Sequence, residues 1–277
     1  MSTALARDAL GASAAAGPAS TGARGEHTWL PSAVLIAALL VLWEAAALTI
    51  LADAKAFPPL TDVVGDIAGD VDTYMRHVRT TVREAWPGWL WANVIATALG
   101  ALAVALPLLE RPVLHVAVAV TSLPIIALGP IFQVTLDGDA PRSALAGLAV
   151  FFTTLVGTIV GLRACDRASI DVIHALGGGK VSVLRKARAR AALPDYFAAL
   201  KISAPAAVLG AIVGEFIGGS GSGLGVALIS ARANADSARV WGIALVATAV
   251  AGLGYAVIAL VGRWLTPWSP GASRGSA

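Results

Sequence analysis

From residue 31 onward the chain is a succession of mostly apolar runs, each roughly 18 to 25 residues long and set off by short polar gaps; as helices they span a hydrocarbon core of about 30 Å. A bilayer interior offers the backbone no water, so such runs must close their own hydrogen bonds, and helices do this. The expected spans are 31–51, 88–109, 112–135, 141–162, 197–218 and 240–262. The fold class that follows is an all-α integral membrane protein with six transmembrane helices. Only 13% of the residues are charged and 57% are hydrophobic, whereas a soluble domain carries about 25% charged residues.

Three domains follow from this pattern: a tail at 1–29, a transmembrane domain at 30–268 and a short tail at 269–277. The first tail is rich in Ala, Gly and Ser and cannot bury enough apolar surface to order itself. It also lacks the basic start, apolar core and small-residue cleavage site of a removable signal. The gap 52–87 opens on Phe57-Pro58-Pro59 and continues with apolar residues at helical spacing, which predicts a short amphipathic helix at the membrane surface.

The remaining composition excludes several kinds of chemistry. A single cysteine and four scattered histidines provide neither a disulfide nor a metal-ligand spacing. A net charge of +3, without basic residues interleaved with aromatics, does not fit a nucleic-acid groove. Lys and Arg resist translocation, and Arg163, Arg167, Lys180, Arg185, Lys186, Arg188 and Arg190 all fall between the fourth and fifth spans. That loop is therefore expected in the cytoplasm, with both termini on the same side.

Within the loop, Gly177-Gly178-Gly179-Lys180 invites comparison with a phosphate-binding P-loop. The match fails at both ends, because His174 stands where the first glycine belongs and Val181 where a Ser or Thr must hold Mg²⁺. What the loop can form is a helix over 166–176, a glycine turn at 177–179 and a basic second helix over 180–190, a unit able to dock on a soluble partner and push on two spans together.

That stretch resembles the cytoplasmic coupling motif of permease subunits of bacterial ATP-binding-cassette importers. Asp171-Val172-Ile173 takes the place of its Glu-Ala-Ala, Gly177 keeps its glycine at the same spacing, and Ala187-Arg188-Ala189-Arg190 stands where the family has Ile-x-Leu-Pro. Ala191-Ala192-Leu193-Pro194 with Tyr196, Phe197, Leu200 and Lys201 is similar to the segment that follows in the nitrate, sulfonate and taurine branch. The resemblance extends to Trp43-Glu44, Phe57-Pro58-Pro59-Leu60, His77 with Thr81 and Arg83 ahead of Gly88, Ser122-Leu123-Pro124, Gly214-Glu215-Phe216-Ile217-Gly218, Ser222-Gly223-Leu224-Gly225 and Leu265-Thr266-Pro267-Trp268.

The resemblance implies the permease architecture of a type I importer, with a cytoplasmic coupling helix, in a bacterial inner membrane. The chain would have no catalytic residue and no cofactor of its own, because ATP and Mg belong to cytoplasmic ATPase subunits. Its further partners would be an extracytoplasmic solute-binding protein and a second permease, identical or related. The cargo classes implied are nitrate-, sulfonate- or taurine-like anions and small heterocycles. Asp171, His174, Ala175, Gly177, Gly178 and Lys180 would couple to the ATPase.

Other residues stand out on physical grounds. Glu215 is an acid at the end of an apolar span, where charge is costly, and is a candidate for the pathway or its gate. Ser122, Leu123 and Pro124 are pathway candidates because proline kinks a span and frees carbonyls beside a cavity. Gly210, Gly214 and Gly218 form a stripe for close helix packing. Glu44 reads as an acid that pairs or hydrogen-bonds inside the bundle. Two rival functions fit worse. An ion-coupled carrier of a small solute wants inverted repeats and several intramembrane charges. An intramembrane hydrolase wants a nucleophile paired with a base, and Ser220 and Ser222 sit among glycines without meeting the Gly-x-Ser-x-Gly pattern.

Overall fold

A computed structural model describes residues 29–51, 56–218 and 221–268. The two expected tails lie outside those residues, except that Trp29 is the first residue of a helix. In chain order the helices are α1 (Trp29–Leu48), α2 (Leu60–Gly69), α3 (Val71–Ala105), α4 (Pro107–Ser122), α5 (Ile125–Thr135), α6 (Ala140–Arg163), α7 (Arg167–Ala175) and α8 (Lys180–Val183). A π-helical turn (Leu184–Arg188) leads into α9 (Ala189–Gly218), and α10 (Leu224–Ala233) and α11 (Ser237–Leu265) follow. Among the described residues there is no strand. Five helices are long and apolar enough to cross a membrane, and the count reaches six when α4 and α5 are taken as one broken span. The chain falls into two units, the apolar leading turns of α1 through Val41 and the unit that begins at Leu42.

Three expectations need correction. The second span does not start at residue 88. The gap 52–87 does hold a short helix, α2, but everything from Val71 belongs to α3, a single helix of 35 residues, or about 50 Å. Its first half carries Asp72, Arg76, Arg79, Arg83 and Glu84, so an apolar run becomes visible only beyond them. Pro87 lies inside α3 without ending it, since an interior proline removes one hydrogen bond but the flanking turns can still propagate.

The third span is not one helix. α4 and α5 meet at a 94° bend, where Pro124 has no N–H to give and drives Leu123 to an extended φ of −75° and ψ of 129°. Thr121 and Ser122 donate their hydroxyls back to the Val118 carbonyl at 2.9 and 2.8 Å, so both side chains fold onto the last turn of α4. The fifth span, finally, is not separate from the basic helix before it. Lys180 to Gly218 is one unbroken helical run of 39 residues, because no breaker lies between Gly179 and Pro194.

The core is built from α3, α6 and α9, and small residues bring their backbones together. Ala85, Ala92, Ala146, Val150, Ala207 and Ala211 form one buried cluster. A Cβ on Gly210 would lie 2.7 Å from Ala146 Cα and one on Gly214 2.9 Å from Arg142 Cα, so α9 fits against α6 only with glycine at those positions. Gly88 and Gly147 make the matching close approach of α3 to α6. Side-chain hydrogen bonds cross the same interfaces: Trp89 Nε1 donates to Ser203 Oγ at 2.9 Å, and Thr154 Oγ1 donates to Asn93 Oδ1 at 2.6 Å. Such a bond between spans contributes about 0.6 kcal/mol on average.

α2 is fixed by groups from elsewhere in the chain. Glu44 Oε2 accepts from the Leu60 N–H at 2.6 Å and Glu44 Oε1 from the Thr61 hydroxyl at 2.8 Å, which satisfies orphan donors at a helix start with a negative charge. Trp43, Phe57 and Trp241 cluster beside it with ring centroids 4.7 to 5.5 Å apart. Arg239 of α11 reaches Asp66 at 3.3 Å and Asp70 at 2.9 Å. The Thr73 hydroxyl and Arg239 hold the Asp70 carboxyl below the usual carboxylate range.

Candidate functional site

Two regions at opposite ends of the Lys180–Gly218 helix hold the chemistry. At the Gly177 end, α7 carries no buried residue, so it has no core of its own and keeps its form by its termination. Gly177 has φ of +77°; its N–H bonds to the His174 carbonyl at 2.9 Å, and the Gly178 N–H reaches back to the Ile173 carbonyl at 2.8 Å. Together these make a Schellman cap with glycine in the left-handed position. A Cβ on Gly177 would meet nothing within 4 Å, so conformation and not crowding demands glycine there.

Of the residues expected to couple, Asp171, His174, Ala175, Gly177 and Lys180 are exposed and Gly178 is half-buried. His174 Nδ1 contacts the Gly178 carbonyl at 3.0 Å, and a Cβ on Gly178 would come within 2.8 Å of the Ile173 carbonyl oxygen. His174 and Lys180 also line a cavity beside α7, as does Ile170 one turn before His174.

At the other end lies a buried polar cluster. Glu215 on α9 is fully buried and Glu84 on α3 is 1% exposed. Glu215 Oε2 accepts from the Gly225 N–H at 2.7 Å, and Glu84 Oε1 accepts from Arg142 Nη1 at 2.6 Å. Arg142 also lies 3.6 Å from Asp139, which pairs with Arg83 at 2.9 Å. The two buried carboxyl groups come from α3 and α9, and Glu84 Oε2 and Glu215 Oε1 have no hydrogen-bond partner among the described residues.

α3 holds the turn before α10 through three contacts within about one helical turn. Thr81 Oγ1 accepts from the Leu224 N–H at 2.9 Å, His77 Nδ1 from the Gly223 N–H at 3.0 Å, and the Thr80 and Ser222 hydroxyls lie 2.8 Å apart. Gly223 has φ of +143°, and a Cβ there would run into the Glu215 carboxyl group. The glycines of this turn thus make room for an acid. Gly218 sits against α5, where a Cβ would come 2.8 Å from Gln133 Nε2.

The structure brings Glu215 together with α3, α6 and the α10 turn. Ser122, Leu123 and Pro124 are not part of that cluster; they lie exposed at the opposite end of α5. Glu84 and Arg142 are the residues that the sequence reading missed. The available signal was the spacing of His77, Thr81, Glu84 and Gly88, which share one helical face at intervals of four, three and four. No group of three or more His, Cys, Asp or Glu among the described residues could hold a metal ion.

Comparison with known proteins is specific. The model of the family described as binding-protein-dependent transport system inner membrane component matches residues 92–269. A formylaminopyrimidine transport permease protein of Halalkalibacterium halodurans is 27% identical over 231 residues, 83% of this chain and 92% of that protein. A riboflavin transport system permease protein of Chloroflexus aurantiacus is 30% identical over 162 residues, 58% of this chain and 60% of that protein. Among solved structures, an inward-facing methionine ABC transporter, MetNI, aligns with a TM-score of 0.59 at 17% identity, covering 71% of this chain and 97% of that one.

Proposed function

The chain belongs to the binding-protein-dependent transport system inner membrane component family, as a permease subunit of an ATP-binding-cassette importer, and from that premise we propose how its two ends divide the work. α7 and the Gly177 turn are the cytoplasmic seat of the ATPase, with both chain termini on that side. The Glu84–Arg142–Glu215 cluster is the latch of the outer gate, where a binding protein delivers cargo. Two permeases, identical or related, enclose the pathway between them.

The observation that carries this reading is the form of α7: a helix without a core, closed by a left-handed glycine and feeding directly into the 39-residue helix that ends beside Glu215. The basic residues of the same loop support its cytoplasmic placement. For cargo the reading covers a small nitrogen heterocycle or a small sulfonate-like anion, because permeases of formylaminopyrimidine, riboflavin and aliphatic sulfonate transport are among the relatives.

Gly177→Val tests the seat. A β-branched residue in the left-handed region costs about 1–2 kcal/mol, so the turn opens and the share of ATPase co-purifying with the tagged chain is expected to fall severalfold. Gly179→Ala is the control, since Gly179 has φ of −83° and open space for a Cβ; it should retain the ATPase. Equal retention by both variants would remove α7 as the seat. Failure of the wild type to retain any ATPase would favour an ion-coupled carrier.

A further inference from the structure

Beside α7 lies a cavity of about 520 Å³, lined by His174 and Lys180 of the coupling loop together with residues of the neighbouring span. His174, Lys180 and Arg188 all line it, and no acidic residue does. Arg188 Nε is buried there without a hydrogen-bond partner among the described residues. In an unbroken α-helix, 3.6 residues per turn would set Arg188 about 80° round from Lys180. The wider π turn at Leu184–Arg188 takes up that offset and brings both side chains to one cavity.

The remaining wall is apolar and lies at the edge of the membrane. Leu106 and Pro107 mark the junction where the second span ends, and Leu106 is 50% and Val181 69% exposed. Two residues past the cavity, the Arg190 guanidinium sits 5.5 Å over the Trp268 ring, and Trp264 beside it on α11 is 80% exposed. Exposed tryptophans at the end of a span mark the headgroup level. An anion that enters here meets two fixed positive charges and an imidazole, with an apolar rim open to lipid.

We infer that this cavity binds the phosphate of an anionic phospholipid headgroup, with the acyl chains lying along Leu106 and Val181. The glycines of the 177–179 turn are not a nucleotide loop; the phosphate contacts come from side chains of the helix that follows. The inference rests on the membrane-spanning reading but not on the ATPase seat, so loss of lipid preference and loss of ATPase capture are separate results.

The test uses the full chain in phosphatidylcholine nanodiscs containing trace spin-labelled phosphatidylglycerol or phosphatidylcholine, with the motionally restricted fraction read by electron paramagnetic resonance. The expected result is a preference for phosphatidylglycerol of about tenfold or more, consistent with two fixed basic groups near the surface. It should fall to about twofold or less in Lys180→Gln/Arg188→Gln and stay near the wild-type value in Arg188→Lys. Equal retention of both lipids by the wild type overturns the inference. Release of the labelled lipid by millimolar inorganic phosphate reassigns the site to a free anion, and its release on adding the ATPase makes the cavity part of the ATPase seat; either result overturns the lipid assignment.

Discussion

Arg142→Met is expected to lower the melting temperature of the purified chain by about 10 °C, the largest effect of any single change outside the closest backbone contacts. The Arg142 side chain is 12% exposed and pairs with Glu84, which is 1% exposed, while Glu215 on the neighbouring helix is 0% exposed. Its removal leaves two buried carboxyl groups facing each other without a counter-charge, a class of change that costs about 3–5 kcal/mol. Methionine keeps most of the volume, so lost packing is not the cause. Glu215→Gln is expected to stay within about 1 kcal/mol of wild type: the amide oxygen keeps the Gly225 N–H bond, and a neutral group replaces a buried acid. Thermal unfolding in detergent, followed by thiol or tryptophan fluorescence, checks both. Similar losses in the two variants would overturn the claim that the Arg142 charge is what the buried acids need.

Gly210→Val is expected to destabilise the chain by about 3 kcal/mol or more, at the top of the range for overpacking. Even a Cβ at that position falls 2.7 Å from both Ala146 Cα and the Leu145 carbonyl oxygen. These are backbone atoms that no rotamer change can clear, so α9 must move away from α6. Gly252→Val on α11 has nothing within 4 Å of the added Cβ and should cost less than about 1 kcal/mol. A melting series over the two positions separates close helix contact from the general effect of β-branching. Equal shifts would falsify the claim that the α6–α9 contact depends on glycine.

Much of this fold was legible because a bilayer makes apolar length informative. The runs that became α1, α6 and α11 stand out within a few residues of their ends. The runs that misled are those in which polarity and helicity part company. The first half of α3 is charged and helical at once, so a hydropathy reading starts the span at Gly88 and leaves Glu84 in a loop. The third apolar run is long enough to cross, but Pro124 turns it through a near right angle, and only backbone geometry reveals that. Gly177 announced its turn through the glycine cluster and the surrounding charge. Glu215 was visible as an isolated acid; its partners Glu84 and Arg142 were not, because they come from two other helices at separations of 131 and 73 residues, and nothing local connects them.

The run from Lys180 to Gly218 is about 58 Å long at 1.5 Å per residue. It makes the glycine turn and the buried acid two terminals of one covalent element. Linkage between such terminals is reciprocal: whatever factor ATPase docking imposes on the latch, release of the latch must return to ATPase affinity. If the proposed seat and latch stand at those terminals, a permease built this way would report the state of its outer mouth to its motor without a separate messenger. Cargo delivery would thus be readable as a change in how tightly the motor holds on.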